Sequence, residues 1–189
     1  MKPGRIAAVI TAAALGCCLL SACGSSSGSQ KNAASSASSS KTEEKGMDHD
    51  TGVFTVSVPA GWGIAPVDDL LKQYDGKTNP NSVYVLKEGM TSDDISRCAY
   101  FRVTFYKDAR SYISTKGVYA DAKDIAPIQA GSRTWEGYSY SGAGFPGCCI
   151  SAKDGNSLWV CQFVLKNYDS SMQLEDAEVK SILKSLKVK

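Results

Sequence analysis

A serine-rich segment of 23 residues, Gly24–Gly46, divides the chain into parts that cannot share one fold. Nine of its residues are serine, and none is larger than lysine, glutamate or glutamine. Such a segment has too little apolar surface to offset the conformational entropy lost on folding. We therefore expect a flexible tether here. Folding is then confined to the residues that follow, roughly 140 of the 189, which is close to the commonest size of a single domain.

The residues before the serine-rich segment have the pattern of a secretory signal peptide. Lys2 and Arg5 provide a short positive region, and the 15 residues from Ile6 to Leu20 carry no charge. This apolar run is too short to span a bilayer, which requires about 20 residues. The sequence therefore predicts a signal peptide over residues 1–22 and export of the protein.

The end of the apolar run carries a short motif, Leu20-Ser21-Ala22-Cys23-Gly24. This motif resembles the lipobox of bacterial lipoproteins at every position. The resemblance implies cleavage before Cys23 and a diacylglycerol on its sulfur, so that the mature protein is anchored at the extracytoplasmic face of the cell membrane. Two acyl chains hold a protein on a membrane more firmly than a single myristoyl chain does. Ordinary cleavage, with Cys23 as an incidental thiol, is the alternative.

We therefore predict three regions: a signal peptide over residues 1–22, a tether with lipidated Cys23 over residues 23–50, and one globular domain over residues 51–189. Five of the 21 basic residues but only two of the 19 acidic residues precede Gly46, so the rest of the chain holds 16 basic and 17 acidic side chains. Nucleic-acid binding normally requires a clustered excess of Lys and Arg. The balanced charge predicts that the domain has no nucleic-acid partner.

Few residues of the domain could form a catalytic or metal centre. The single histidine, His49, lies at the edge of the predicted tether, which leaves Ser-His-Asp and Cys-His arrangements without a base in the folded part. No Cys-x-x-Cys pair is present, so we expect no cysteine-rich metal site. The glycine-rich run 142–147 matches a dinucleotide-binding fingerprint, but its context favours a turn between strands. We predict no enzymatic activity, no metal and no cofactor.

Apolar periodicity predicts an α+β domain. The segments with the alternation or the continuous apolar run of β-strands are residues 54–58, 82–87, 99–106, 133–141, 147–153 and 158–166. Two other segments, Val67–Tyr74 and Val179–Leu186, have the i, i+3, i+4, i+7 spacing of amphipathic helices. Residues 109–130 have no distinct pattern.

Two motifs near the ends of the domain resemble the PsbP-like fold. Val58-Pro59-Ala60-Gly61-Trp62 follows the first strand, and Asp176–Lys187 (DAEVKSILKSLK) lies near the end of the chain. This fold is known from photosystem II extrinsic proteins, from a nuclear import factor that binds a small GTPase, and from many bacterial lipoproteins. The resemblance implies an antiparallel sheet flanked by helices in an α/β/α sandwich, with Trp62 in the core. It also implies a protein that binds rather than catalyses.

The cysteines of the domain are Cys98, Cys148, Cys149 and Cys161. An even number in an exported domain predicts two disulfides, with three possible connectivities. If Asp154 and Gly155 form a two-residue type I′ turn, Cys148 lies directly opposite Cys161, where a disulfide is feasible. Cys98 and Cys149 are then a possible second pair. A one-residue change in the turn would instead set Cys149 opposite Cys161.

The residues support two classes of function. We favour a membrane-anchored binding or scaffolding module for an unidentified protein or small ligand. Its candidate ligand-binding residues are Tyr138, Tyr140 and Phe145, because aromatic rings beside a flexible glycine-rich loop favour recognition. The alternative for these rings is that they cover the sheet. The second class of function is a cell-envelope redox factor or enzyme that uses the adjacent Cys148 and Cys149.

Overall fold

β-Strands dominate the part of the chain that the computed structural model describes, residues 46–71, 73–74, 76–89 and 91–189. In chain order the strands are β1 Met47–Asp50, β2 Phe54–Val58, β3 Trp62–Asp68, β4 Thr78–Lys87, β5 Tyr100–Tyr106, β6 Lys123–Asp124, β7 Ile128–Ala130, β8 Arg133–Gly142, β9 Phe145–Asp154, β10 Ser157–Val164, β11 Lys166–Asn167, β12 Ser170–Ser171 and β13 Lys187–Val188. Within the same residues one α-helix forms, α1 (Ala177–Ser185), with short 3₁₀ helices at Ser92–Ser96, Ala109–Ser111 and Lys116–Val118. The domain is therefore of the predicted α+β class.

Two antiparallel meanders stand side by side in the main sheet. The first contains β3, β4 and β5, the second contains β8, β9 and β10, and β5 pairs with β10 at the centre. The short strands β6 and β7 both pair with β8. In β5 the predicted alternation is confirmed, because Phe101, Val103 and Phe105 are buried and the residues between them are half-buried. The two faces of this sheet therefore have different neighbours.

The first face of the main sheet packs against α1 and against a small sheet of β1, β2 and β13. The helix buries Val179, Ile182 and Leu183, which have the spacing that predicted it. Phe54 of β2 meets Trp159 of β10 edge to face, with ring centroids 5.2 Å apart. Complete burial of a large apolar side chain contributes roughly 1.5 to 3 kcal/mol. These contacts form the main hydrophobic core.

Trp62 belongs to this core, as predicted. Its side chain is buried at the start of β3, and its ring packs edge to face on Phe101 with centroids 6.3 Å apart. The indole N–H donates a hydrogen bond to Glu178 of α1 at 3.2 Å. A buried tryptophan usually requires such a partner for its N–H. Trp62 therefore ties β3 to the C-terminal helix.

The second face of the main sheet carries two separate coverings. At one end, residues 109–122 lie over four buried side chains of β8, β9 and β10: Tyr138, Cys149, Leu158 and Val160. At the other end, the 3₁₀ helix Ser92–Ser96 packs beside three buried residues: Ala65, Leu86 and Cys98. The described residues place no α-helix on this face. Short turns and loops therefore stand where an α/β/α sandwich has its second helical layer.

The predicted helix over Val67–Tyr74 is wrong. Val67 lies in β3, and the residues after Asp68 form a loop. The carboxylate of Asp69 accepts hydrogen bonds of 2.7 to 3.1 Å from three backbone N–H groups further along this loop. An aspartate that binds nearby backbone in this way competes with helix formation. Leu70 and Leu71, which an amphipathic helix would have buried, are exposed.

The structure adds a strand before the predicted start of the domain. β1 pairs with β2 along its whole length, with Met47 opposite Val58. Its sequence, MDHD, has no apolar alternation, and its side chains are mostly exposed, as is common for an edge strand. Residues 1–45, with the predicted signal peptide, Cys23 and most of the tether, lie outside the described residues. Among the described residues, no helix has the length and hydropathy needed to cross a membrane.

The β9–β10 hairpin has a different register from the predicted one. Its two-residue loop is Gly155–Asn156, with Gly155 at a φ of 61°, and Asp154 is the last residue of β9. Asp154 is held in the strand because its carboxylate accepts hydrogen bonds from Arg133 and from the indole of Trp159. The turn is therefore displaced by one residue along the chain.

This register separates the two cysteines that were predicted to bond. Cys161 lies opposite Ile150 and is therefore diagonal to Cys148, although both share the core face as predicted. Diagonal neighbours in a sheet are about 7 to 8 Å apart, beyond the usual range of a disulfide. Cys98 and Cys149 belong to two different buried clusters. All four cysteines are free thiols in the structure, so neither predicted disulfide is present.

Candidate functional site

An open groove of about 1380 Å³ crosses the second face of the main sheet between the two coverings. Its floor contains side chains that the strand register sets next to one another, since Tyr84 of β4 lies opposite Arg102 of β5, and Arg102 lies opposite Gln162 of β10. The next row on the same face runs from Tyr100 across β10 and β9 to Tyr140 of β8. Neighbouring strands are about 4.8 Å apart, so the groove from β3 to β8 is roughly 24 Å long. It is long enough for a chain-like ligand.

Arg102 places a positive charge in the floor of the groove. One of its terminal nitrogens donates a hydrogen bond to Oε1 of Gln162 at 2.7 Å. Its Nε is buried and has no hydrogen-bond partner among the described residues. None of the ion pairs formed by the described residues includes this guanidinium. A buried N–H without a partner costs roughly 1 to 3 kcal/mol, and more in a charged group, so an acceptor that reached it would recover that free energy.

Tyrosine rings stand on both sides of Arg102. Tyr84 and Tyr100 are in edge-to-face contact, with ring centroids 5.7 Å apart. On the other side Tyr119 stacks on Tyr140, with centroids 4.0 Å apart and ring planes at 20°. A smaller pocket of about 220 Å³ lies between the two pairs of rings, over the guanidinium. The charge is therefore surrounded by flat, largely apolar surfaces.

The hydroxyl groups of Tyr100 and Tyr140 stay protonated at neutral pH. Burial raises the pKa of Tyr100, and burial together with the neighbouring Tyr119 raises the pKa of Tyr140 well above its ordinary value of about 10. A neutral phenol can donate as well as accept a hydrogen bond. The pocket therefore offers neutral donors around one cation, which is an arrangement suited to an anionic group.

Glycine at position 147 lets the ring of Tyr140 lie against the sheet. A Cβ at this position would be 2.9 Å from Cζ of Tyr140 and 2.9 Å from the backbone oxygen of Phe163. A larger residue would push the ring away from β9 and toward the groove. In the adjoining loop Ala143–Gly144 both φ angles are positive, 50° and 85°, as a type I′ hairpin turn requires. The glycine-rich run 142–147 therefore contains the predicted turn between strands: Ala143 and Gly144 form the turn, and the residues on either side belong to β8 and β9.

The rim of the groove combines exposed apolar side chains with acidic ones. Leu70, Leu71 and Tyr168 line the groove and are 85 %, 78 % and 71 % exposed. Asp68 and Asp93 are also part of its lining. Within the described part of that lining, the only basic residue is Arg102. The groove is therefore acidic at its rim and positive in its floor.

The structure brings two of the three predicted ligand-binding residues to the groove. Tyr140 and Phe145 line it, and Phe145 is 42 % exposed. Tyr138 is instead buried beneath residues 109–122, where its hydroxyl is 2.8 Å from Oγ1 of Thr115. Tyr138 therefore covers the sheet, while the other two rings are accessible to a ligand.

Sequence reasoning missed Arg102, Tyr84, Tyr100 and Gln162 as site residues. The alternation in β5 already places Tyr100 and Arg102 on the face opposite Phe101, so an arginine between aromatic residues on a polar strand face was the available signal. Its partner Gln162 is 60 residues away in the sequence. Only the pairing of β5 with β10 brings the two side chains together.

Cys148 and Cys149 point to opposite faces of β9. Cys148 lies in the main core, and Cys149 lies beneath residues 109–122, with its Sγ 3.5 Å from the hydroxyl of Tyr112. Adjacent residues of an extended strand cannot join their sulfur atoms without leaving that conformation. Burial also raises the pKa of Cys148 well above its ordinary range, whereas a nucleophilic thiol needs a lowered one. The geometry therefore gives the redox alternative no support.

The titratable groups of the described residues are dispersed. Among these residues, no group of three or more His, Cys, Asp or Glu side chains is close enough to hold a metal ion. His49 lies in β1, opposite Val56 on the small sheet, and does not line the groove. What the groove itself offers a ligand is one guanidinium, several hydrogen-bond donors and aromatic faces.

Comparison with known proteins provides little context for this site. The sequence matches no protein-family profile and no curated protein. Among solved structures, a protein from Bacteroides thetaiotaomicron is similar, with a TM-score of 0.43 and 13 % sequence identity. The similarity covers 78 % of this chain and 49 % of that chain, so the described fold spans about half the length of its structural neighbour. A likeness at this level carries no functional information.

Proposed function

We propose that this protein is a lipid-anchored, extracytoplasmic binding module that holds its ligand in the groove of the main sheet. The observation that carries the proposal is the guanidinium of Arg102, which lies in the floor of the groove with a buried Nε that has no partner among the described residues. Buried polar groups in folded proteins are nearly always paired. Arg102 lines the groove and carries such an unpaired group, and it therefore points to a ligand that contacts the guanidinium.

The shape and chemistry of the groove also support binding. Ligand sites are typically concave and mostly apolar, with a few polar groups that set orientation. Here the stacked and edge-to-face tyrosine pairs provide rigid apolar surfaces on both sides of one charge. Exposed apolar residues around a groove, such as Leu70 and Leu71, are typical of surfaces that contact a partner.

The membrane anchor is part of the proposal and rests on the sequence. The charged start, the apolar run and the motif that ends at Cys23-Gly24 support lipidation of Cys23. A diacylglycerol there would keep the domain at the extracytoplasmic face of the cell membrane. A flexible tether of 23 residues would have a root-mean-square length of roughly 25 to 30 Å, enough to hold the groove clear of the lipid head groups.

A PsbP-like identity for the fold is also proposed. It is supported by an antiparallel sheet with a C-terminal helix on its first face, and by an entering strand that leads through Gly61 into a buried Trp62. Proteins of that fold mostly bind rather than catalyse.

Photo-crosslinking in native membranes tests the proposal. A benzophenone side chain would replace Phe145 or Tyr168, which line the groove, and as controls Val118 or Val188, which are exposed and apolar but do not line it. We expect one adduct of the same mass at both groove positions and at neither control. Equal adducts at all four positions, or none in the groove, would contradict a ligand at this site.

A further inference from the structure

We infer that the ligand group bound by Arg102 is the carboxylate of a peptide, which the groove holds in an extended conformation. This inference rests on the proposed function and names the class of its ligand. It is carried by the composition of the groove lining and by the surroundings of the guanidinium.

The charge of the groove favours a carboxylate over a phosphate. A phosphate group carries up to two negative charges at neutral pH, and sites for it usually provide several cations or backbone N–H groups. The described residues of this lining provide one guanidinium as their only cation, and Asp68, Asp69 and Asp93 are among them. A carboxylate carries a single charge and matches the planar guanidinium with two parallel hydrogen bonds.

Gln162 holds the guanidinium of Arg102 in a fixed orientation before a carboxylate binds. Its side-chain oxygen accepts a hydrogen bond from one terminal nitrogen of the guanidinium, which restricts how the group can rotate. The Nε–H has no partner among the described residues. A carboxylate in the groove could therefore bind to the guanidinium without displacing an existing ion pair. Because Gln162 is neutral, it orients the guanidinium and leaves its charge for the ligand.

The rim favours a peptide over a sugar. Sugar rings stack on aromatic faces, but the exposed Leu70 and Leu71 are matched by apolar side chains, which a peptide carries. An extended chain rises about 3.3 Å per residue, so a groove of roughly 24 Å holds about seven residues. Basic side chains of the same peptide would find Asp68 and Asp93 at the rim. The carboxylate is either the C-terminus of the peptide or an internal Asp or Glu side chain.

Titration of the full chain in detergent micelles with short peptides tests the inference. The first pair of probes is acetyl-Lys-Leu-Phe with a free carboxylate and its C-terminal amide. The second pair is acetyl-Lys-Leu-Glu-Phe-amide and the same peptide with Gln. Glucuronate and inorganic phosphate complete the set. We expect a saturable shift of the Arg102 Nε–H NMR signal with at least one carboxylate peptide, and binding at least about tenfold weaker for its amide partner.

Variants of the chain show whether peptide binding depends on the guanidinium of Arg102. Arg102→Gln removes the charge, and Gln162→Glu keeps it but places a carboxylate of the protein beside it. We expect both to weaken peptide binding at least about tenfold. The matched control is Arg110→Gln, because Arg110 is exposed, pairs with Asp108 and lies outside the groove. It should change the affinity by less than about twofold. If Arg102→Gln fails to fold, Gln162→Glu decides the question.

The outcomes separate this inference from the proposed function. Equal or absent binding of the acid and amide peptides, or tighter binding of glucuronate or phosphate, would overturn the peptide carboxylate. If crosslinking still captured a ligand in the groove, the proposed binding function would stand, although the ligand would not be a peptide carboxylate. A difference in affinity within the first pair of peptides identifies the bound carboxylate as a C-terminus. A difference within the second pair identifies it as a side chain.

Discussion

At Gly137 the backbone of β8 approaches β9 so closely that only glycine fits. A Cβ at this position would lie 1.9 Å from the backbone oxygen of Cys149. No side-chain rotation can relieve a contact with backbone, so the paired strands would have to move apart. We expect Gly137→Ala to lower the free energy of unfolding by about 3 kcal/mol, measured by urea denaturation followed by circular dichroism.

The matched control for this change is Gly117→Ala. No atom lies within 4 Å of a Cβ at Gly117, which is in the 3₁₀ helix Lys116–Val118. We expect the free energy of unfolding to change by less than about 0.5 kcal/mol there. A loss at Gly137 no larger than that at Gly117 would show that the two strands are not so close.

Asp154 makes part of the stability depend on pH. Its carboxylate accepts hydrogen bonds from Arg133 at 2.9 Å and from Trp159 at 3.3 Å, and these contacts, Arg133 first, lower its pKa. A carboxyl group whose pKa is lower in the folded state stabilises the fold above its unfolded pKa of about 4. That contribution is lost as the pH falls through the folded pKa.

We therefore expect Asp154→Asn to lower the free energy of unfolding more near pH 6 than near pH 2, which lies well below the unfolded pKa, so that the contribution of the carboxylate is reduced there. Denaturant titrations of both proteins at the two pH values measure the difference. Asp169→Asn, an exposed change in the β11–β12 turn, serves as the control for the removal of a surface carboxylate. An effect of Asp154→Asn that is equal at both pH values would contradict the ion pair with Arg133.

At the scale of elements, the β9–β10 hairpin decides the state of the cysteines. Its register leaves Cys148 and Cys161 diagonal to each other, and both thiols are buried. We expect Cys98, Cys148, Cys149 and Cys161 to resist iodoacetamide in the native protein and to be alkylated after unfolding without reductant. Mass spectrometry of the peptides measures this. A Cys148–Cys161 disulfide in the unreduced protein would contradict the observed register and support the predicted one, in which the two cysteines lie opposite each other.

At the scale of the whole molecule, the anchor determines where the groove can act. Because Cys23 completes the lipobox-like motif, we expect Cys23→Ala to abolish lipid attachment and to leave the signal peptide uncleaved. Mass spectrometry of the N-terminal peptide measures both. Cys18→Ala is the matched control, since Cys18 lies in the apolar run outside the motif, and we expect it to be processed normally. An unmodified Cys23 in the mature wild-type protein would contradict the anchor.

The sequence determined the features that depend on residues a few positions apart. Alternation over residues 99–106 and helical spacing over residues 179–186 correctly predicted β5 and α1, because both elements bury one face against a core. The turn within the glycine-rich run was correctly predicted because the run carries Pro146 and leads into a strand-like segment instead of a helix. The α+β class followed from these local patterns.

Tertiary structure alone decided the features that depend on distant partners. The apolar spacing of Val67–Tyr74 predicted a helix, but the pairing of β3 with β4 and the backbone bonds of Asp69 hold that segment in other conformations. β1 exists because β2 pairs with it, which no apolar pattern in MDHD could indicate. The contacts of Asp154 with Arg133 set the hairpin register, and the cysteine positions follow from it.

The groove belongs to the same class of features. Its floor joins Tyr84, Arg102 and Gln162 from three strands, and their order across the sheet depends on β5 pairing with β10. A local pattern specifies which face of a strand a side chain occupies, but not which strand lies beside it, because strand order follows from the packing of the complete chain. Arg102 could therefore be placed on a polar face from sequence, whereas its lack of a partner among the described residues required the fold.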